Sequence, residues 1–131
     1  AGLLAGLTWQ KSASRLLGFS ILHAKQESIS IIEELATQAL QHMGSKDRVR
    51  AIVDDGYLGE GYAIPTRECM EASRLVARLE GLFLCPVYTA KTMAGLIDYV
   101  KTGRIESGET IVFLHSGGSP LLYAYYDSYY T

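Results

Sequence analysis

The sequence predicts an α/β protein in which a parallel sheet is covered by helices on both faces. Short, uninterrupted apolar runs alternate with longer segments that carry apolar residues at helical spacing. Uninterrupted apolar strands are typical of parallel sheets because both faces of such a sheet are buried. The 131 residues, 48% of them hydrophobic and 20% charged, are enough for one domain with a hydrophobic core. We therefore expect a single domain over residues 1–131.

The first part of the chain predicts two helices and two strands. Residues 1–10 carry small and apolar side chains at helical spacing, and residues 28–42 repeat that spacing until Gly44 can end the helix. Residues 15–22 and 49–53 are short runs rich in apolar or β-branched side chains, which predict strands.

A glycine-rich segment, residues 54–65, follows the second predicted strand. It is long for a connecting loop, and long loops in compact domains often carry function. Thr66 then predicts the N-cap of a helix that runs to Glu80, and Gly81 ends it.

The remaining chain predicts further alternation of strand and helix. Residues 82–87 are apolar but broken by Pro86, and Thr89 can cap a helix that runs to about Lys101. Residues 110–114 predict the third strong strand, and a last, tyrosine-rich helix is expected from Pro120.

Composition excludes several classes of protein. The net charge is −2 without a basic stripe, which does not suit a nucleic-acid partner. No apolar run reaches the roughly 18 residues that a membrane span needs. Cys69 and Cys85 do not have metal-ligand spacing, so we expect no metal site and a reduced, cytoplasmic protein. The chain begins at Ala1 within a helical pattern, which suggests an incomplete chain.

Candidate functional residues cluster in the loops that follow the predicted strands. Ligands of open α/β sheets bind beyond the carboxyl ends of strands, so residues 54–65, 86–89 and 115–119 should converge on one crevice. These loops offer many hydroxyl groups and few carboxylates, namely Tyr57, Tyr62, Tyr88, Thr89, His115 and Ser116.

Each of these residues also has a purely structural interpretation. The Ser116-Gly117-Gly118 segment can let backbone N–H groups approach an anion, or it can be an ordinary tight turn. His115 can act as a general base, but a lone histidine at a strand end is more often a hydrogen-bonded structural residue. Lys91 offers an amine, although its position near a polar helix start favours a solvated or salt-bridged side chain.

Four segments carry a resemblance to a known enzyme family. They are DDGYLGEGYAIP (54–65), LVARLEG (75–81), PVYTAKTMAGLI (86–97) and FLHSGG (113–118). Together they resemble the C-terminal half of the D-cysteine desulfhydrase and 1-aminocyclopropane-1-carboxylate deaminase family, whose members are fold-type II, tryptophan-synthase-β-like pyridoxal-phosphate enzymes. The resemblance covers nearly the whole chain and is most specific over residues 54–118.

The resemblance implies a cofactor and a place in a larger protein. It implies pyridoxal 5′-phosphate, a small amino-acid substrate and a homodimer when the enzyme is complete. It also implies that this chain is part of the family's large domain. In the family the cofactor lysine lies upstream of the helix that AGLLAGL resembles, so we expect this chain to lack it and to be inactive alone.

Individual roles follow from the resemblance. Tyr62 and Tyr88 match two tyrosines that face the substrate. Thr89 matches a position beside the cofactor ring, where the deaminases have Glu, and so resembles the desulfhydrases. Ser116, with Gly117 beside it, matches the hydroxyl residue near the pyridine nitrogen. A hydroxyl is a weak partner for that nitrogen, which suits β-elimination.

The sequence departs from the family pattern at two further positions. Cys85 stands where the family usually has Asp, and Ala90 where it usually has Gly, which puts the pocket shape in doubt. The favoured function is elimination of sulfide from D-cysteine. Two alternatives stay open: deamination of the cyclopropane substrate, and a catalytically inactive fragment or assembly module.

Overall fold

The N-terminal part of the chain combines two helices with a small parallel sheet. In the computed structural model, which describes residues 1–130, it forms one unit, Ala1–Asp55. Its elements are α1 (Gly2–Trp9), β1 (Leu17–Phe19), α2 (Lys25–His42) and β2 (Ile52–Asp54). The two strands pair in parallel, with Leu17 opposite Ile52 and Phe19 opposite Asp54. The predicted α/β class is confirmed.

The core of this first unit lies where α1 packs on α2. Ala36 and Leu40 are fully buried and lie one helical turn apart, so they share a face of α2. Ala5 of α1 and Val49 complete the cluster. Alanines on both helices present little side-chain bulk, so the two helices can approach closely.

The second unit begins at Gly56 and is mainly helical. Its elements are α3 (Arg67–Glu80), α4 (Thr89–Lys101), α5 (Leu121–Ala124) and a 3₁₀ turn (Tyr126–Tyr129). Helices α3 and α4 pack against each other over a core of Cys69, Met70, Val76, Leu84 and Ala90. Across residues 1–130, none of the helices combines the length and the apolar character needed to cross a membrane.

Both predicted ends of α3 are confirmed. The Thr66 hydroxyl accepts a hydrogen bond from the Cys69 amide at 3.1 Å, which satisfies one of the free N–H groups of the first turn. Gly81 ends the helix with φ +68°, a left-handed conformation that glycine adopts without a steric penalty.

Two strand predictions in this unit are wrong. Residues 82–87 and 110–114 belong to no strand, because among the described residues no neighbouring strand pairs with them; residues 86–87 lie in a turn. Ile111, Val112 and Leu114 of the second segment accordingly face solvent, with Val112 88% exposed, whereas Phe113 packs against the core of the unit. In the first unit, α2 begins at Lys25 rather than at Ser28.

Candidate active site

Two tyrosines from different segments meet at their hydroxyl groups. Tyr62 lies in the glycine-rich loop and Tyr88 immediately precedes α4, and their hydroxyl oxygens are 2.5 Å apart. Their rings are tilted by 50° with centroids 6.1 Å apart, so the side chains meet mainly through the polar groups. Tyr62 is 45% exposed, which leaves the pair open to a ligand. The predicted convergence of these two loops is therefore observed.

The backbone around Tyr88 is held by a closed turn. The Cys85 amide donates to the Thr89 hydroxyl at 2.8 Å, and the Ala90 amide donates to the Cys85 carbonyl at 2.9 Å. Thr89 is only 2% exposed. Its hydroxyl therefore fixes the turn from which Tyr88 projects, a contact that the sequence did not predict.

The loop that carries Tyr62 is held by a buried lysine. The Lys91 ammonium donates to the carbonyls of Leu58 at 2.7 Å and Gly61 at 2.9 Å, and the residue is fully buried. The prediction of a solvated or salt-bridged Lys91 is wrong. The loop carbonyls supply the acceptors that a buried ammonium requires.

A second side chain holds the same loop on the other side of Tyr62. The Tyr125 hydroxyl donates to the carbonyl of Ala63 at 2.6 Å. Ala63 has φ +62°, in the left-handed region that side chains other than glycine rarely adopt. Such strain persists only where the surrounding contacts impose it, and it is common near functional sites. The conformation beside Tyr62 is thus imposed by contacts.

The glycine-rich turn lies beside Tyr88. A Cβ atom built on Gly118 would lie 2.9 Å from Cys85 Cβ and 3.0 Å from Tyr88 Cδ2, so only glycine fits. Gly118 has φ +91° and Gly117 has φ +101°, which glycine also favours. The three predicted loops therefore meet at Tyr88.

Ser116 and His115 differ in their surroundings. Ser116 is exposed. His115 Nδ1 accepts from the Gly117 amide at 3.3 Å, and its Nε2 lies 3.1 Å from the Phe83 carbonyl. A ring that accepts at Nδ1 carries its proton at Nε2, so His115 donates to Phe83 and acts as a structural link. Helix α5 spans only four residues, so its helix dipole is too weak to attract an anion. A ligand at this place would instead contact the backbone of the turn.

The electrostatics of the site favour neutral hydroxyl groups. The hydrogen bond with Tyr62 is the main cause that raises the pKa of Tyr88 above its ordinary 10.0. Tyr88 therefore keeps its proton at neutral pH and can donate it. Burial lowers the pKa of Lys91 below its ordinary 10.5. Burial also raises the pKa of the neighbouring Cys69 thiol, which stays uncharged at neutral pH.

The sequence contained an overlooked signal for the burial of Lys91. Ala94 and Gly95 lie one turn further along α4 and are buried, so Lys91 shares their inward face. The small side chains at those positions indicate close packing. The contact of Tyr125 with the loop had no comparable local signal, because the two segments lie far apart in sequence.

Comparison with known proteins gives the family. The sequence model of the family of pyridoxal-phosphate-dependent enzymes matches residues 2–117. The chain belongs to this family. It is also similar to a solved structure described as an ACC deaminase homologue, with 32% identity and a TM-score of 0.88. That match covers 98% of this chain but 39% of the homologue, so the chain spans well under half the length of this relative.

Members of the family depend on pyridoxal phosphate, and the turn fits such a ligand in two respects. Nothing lies within 4 Å of a Cβ built on Gly117, so a flat ligand can approach the backbone there. The exposed Ser116 hydroxyl can bond a ring nitrogen.

Lys91 is unsuited to covalent attachment because two carbonyls already hold its amine. A groove of about 630 Å³ between α3 and α4 lies elsewhere and is lined by neither tyrosine.

Proposed function

We propose that this chain is the C-terminal part of the large domain of a pyridoxal-phosphate-dependent lyase that releases sulfide from D-cysteine by β-elimination. One observation carries the proposal: the hydroxyls of Tyr62 and Tyr88 lie 2.5 Å apart, beside the glycine-rich turn. Membership of the pyridoxal-phosphate family supports it further. Thr89 supports elimination over deamination, because the resemblance pairs Thr with desulfhydrases and Glu with deaminases.

The proposed reaction breaks three bonds of the substrate, namely Cα–H, Cβ–S and C–N. Pyridoxal phosphate, when bound, would supply the electron withdrawal that makes the α-proton removable, and a base of the complete enzyme would accept that proton. The Cβ–S bond then breaks, and the sulfur leaves with the bonding electrons and takes up a proton. The remaining three carbons take up water and give pyruvate and ammonia. The reaction therefore needs a proton donor near the sulfur.

The tyrosine pair is the proposed source of that proton. Tyr88 is protonated at neutral pH, since its pKa lies above the ordinary 10.0, and its hydroxyl can donate to the departing sulfur. The Tyr62 hydroxyl, at hydrogen-bond distance, can return a proton to Tyr88 and reset the pair. Ser116 would bond the pyridine nitrogen, and Gly117 would let the ring approach the backbone.

Deamination of 1-aminocyclopropane-1-carboxylate is the second candidate. It is favoured by the solved structure described as an ACC deaminase homologue, which shares 32% identity with this chain. That reaction opens a three-membered ring and releases ammonia with a 2-oxo acid. Both reactions use the same cofactor and can use the same tyrosines, so the substrate must be tested directly.

A parallel assay separates the candidates. The complete enzyme, loaded with cofactor, is incubated with D-cysteine, L-cysteine or 1-aminocyclopropane-1-carboxylate, and sulfide, ammonia and 2-oxo acids are measured. We expect sulfide and pyruvate in equal amounts from D-cysteine and little from L-cysteine. Ammonia with 2-oxobutanoate from the cyclopropane substrate, without sulfide from D-cysteine, would instead establish the deaminase. Absence of all products would favour an inactive assembly module. We also expect a cytoplasmic homodimer.

A further inference from the structure

Lys91 is an unusual residue to bury completely. It is the largest fully buried side chain among the described residues, and its ammonium is held by two backbone carbonyls rather than by a carboxylate. Removing an ammonium from water is costly, and lysine is rarely buried without a partner of opposite charge. An apolar side chain would avoid that cost if the position served only packing.

The position of Lys91 on α4 links it to both tyrosines. It lies one helical turn after Tyr88, so the two side chains start from the same face of the helix. Tyr88 contacts the Tyr62 hydroxyl directly, whereas Lys91 holds Gly61, the residue before Tyr62. The first turn of α4 therefore fixes Tyr62 at its hydroxyl and at its backbone.

The chemistry of the contact explains why a cation is used. An ammonium carries three donors on a compact charge, so one side chain can satisfy two carbonyls that diverge from a loop. An apolar replacement would leave both carbonyls without this donor, and the loop with its left-handed Ala63 would be freer to relax.

We propose that Lys91 is a positioning residue: its ammonium holds the carbonyls of Leu58 and Gly61 and so sets the Tyr62 hydroxyl against Tyr88. This inference rests on the proposed role of the tyrosine pair in the lyase reaction. It assigns Lys91 no contact with substrate or cofactor.

The test is Lys91→Met, which keeps an unbranched side chain one atom shorter than that of lysine and removes the ammonium. Lys101→Met is the matched control, because Lys101 is exposed at the end of α4. Hydrogen exchange of the amides of residues 58–63 should become about tenfold faster in Lys91→Met alone. In the cofactor-loaded enzyme, kcat should fall about 100-fold with little change in KM, and the cofactor absorbance should remain.

Coupling to Tyr62 separates positioning from general destabilisation. In a Tyr62→Phe background, Lys91→Met should cost far less in kcat than in the native background, because both changes disable the same hydroxyl. Additive losses would overturn the proposal, as would unchanged exchange of residues 58–63. The exchange result needs no turnover, so it judges the role of Lys91 even if the proposed lyase reaction fails.

The native protein provides a test if Lys91→Met does not fold. In ¹⁵N-lysine-labelled protein, one ammonium resonance should exchange slowly with water at neutral pH and disappear in Lys91→Arg or Lys91→Gln. A spectrum in which every lysine ammonium exchanges rapidly would overturn the proposal.

Discussion

Gly118→Ala is the substitution whose effect follows most directly from the structure. The added methyl group would lie 2.9 Å from Cys85 Cβ, 3.0 Å from Cys85 Sγ and 3.0 Å from Tyr88 Cδ2. Cys85 is fully buried and cannot swing away, so the turn or Tyr88 must shift. The same residue has φ +91°, which adds backbone strain.

The magnitude combines two contributions. A non-glycine residue in the left-handed region costs about 1–2 kcal/mol. Forcing an extra methyl group into a packed site costs about 1–3 kcal/mol. We therefore expect Gly118→Ala to lower the free energy of unfolding by about 2–5 kcal/mol, and to separate the hydroxyls of Tyr62 and Tyr88.

Urea denaturation with a matched control tests this expectation. Gly117→Ala is suitable because it has φ +101° but no atom within 4 Å of the added methyl group. It should show the strain contribution alone, about 1–2 kcal/mol. Equal losses of stability in the two variants would refute the reasoning, since the contact with Cys85 and Tyr88 would then carry no cost.

Three further predictions concern the site. Thr89→Glu should lower sulfide release from D-cysteine, because it removes the hydroxyl that fixes the turn before α4 and places a carboxylate beside the cofactor ring, which would favour a protonated pyridine; an unchanged rate would contradict both roles of Thr89. Borohydride reduction after incubation with pyridoxal phosphate should leave Lys91 unmodified, and a stoichiometric adduct mapped to Lys91 would contradict its buried, hydrogen-bonded state. Tyr88 should ionise at a lower pH in Tyr62→Phe than in the native protein, because the hydrogen bond with Tyr62 raises its pKa; identical ultraviolet titrations would disprove that coupling.

The sign of the tyrosine titration also fixes its effect on stability. Because the folded-state pKa of Tyr88 lies above 10.0, the folded protein holds this proton more tightly than the unfolded chain. The associated stabilisation is fully present below pH 10 and is lost as the pH rises through the raised pKa. At neutral pH this stabilisation by the Tyr88 proton is therefore fully present.

The sequence predicted the helices more accurately than the strands. The capping threonine and the terminal glycine of α3 are local signals, so Thr66 and Gly81 could be assigned to the two helix ends. A strand depends on a partner that local sequence does not identify. Residues 110–114 have the right side chains but no neighbouring strand among the described residues, and so form none.

The residues of the candidate site show the same difference between features that the sequence reveals and contacts between distant segments. The family resemblance singled out Tyr62 and Tyr88, and the structure brings their hydroxyls together. The position of Lys91 near a polar helix start, by contrast, predicted a solvated or salt-bridged side chain, which is wrong. Its carbonyl partners come from a loop some thirty residues earlier, and no local pattern reveals such a contact.

The turnover of Tyr88→Phe tests the central claim most directly. This change removes the hydroxyl of the pair and keeps the ring beside Tyr62 and Gly118. We predict that this variant of the full-length, cofactor-loaded enzyme keeps its cofactor absorbance and melting temperature but loses about 10²–10⁴-fold in the rate of sulfide release from D-cysteine. Near-native turnover with intact cofactor would contradict the account and assign Tyr88 to packing alone.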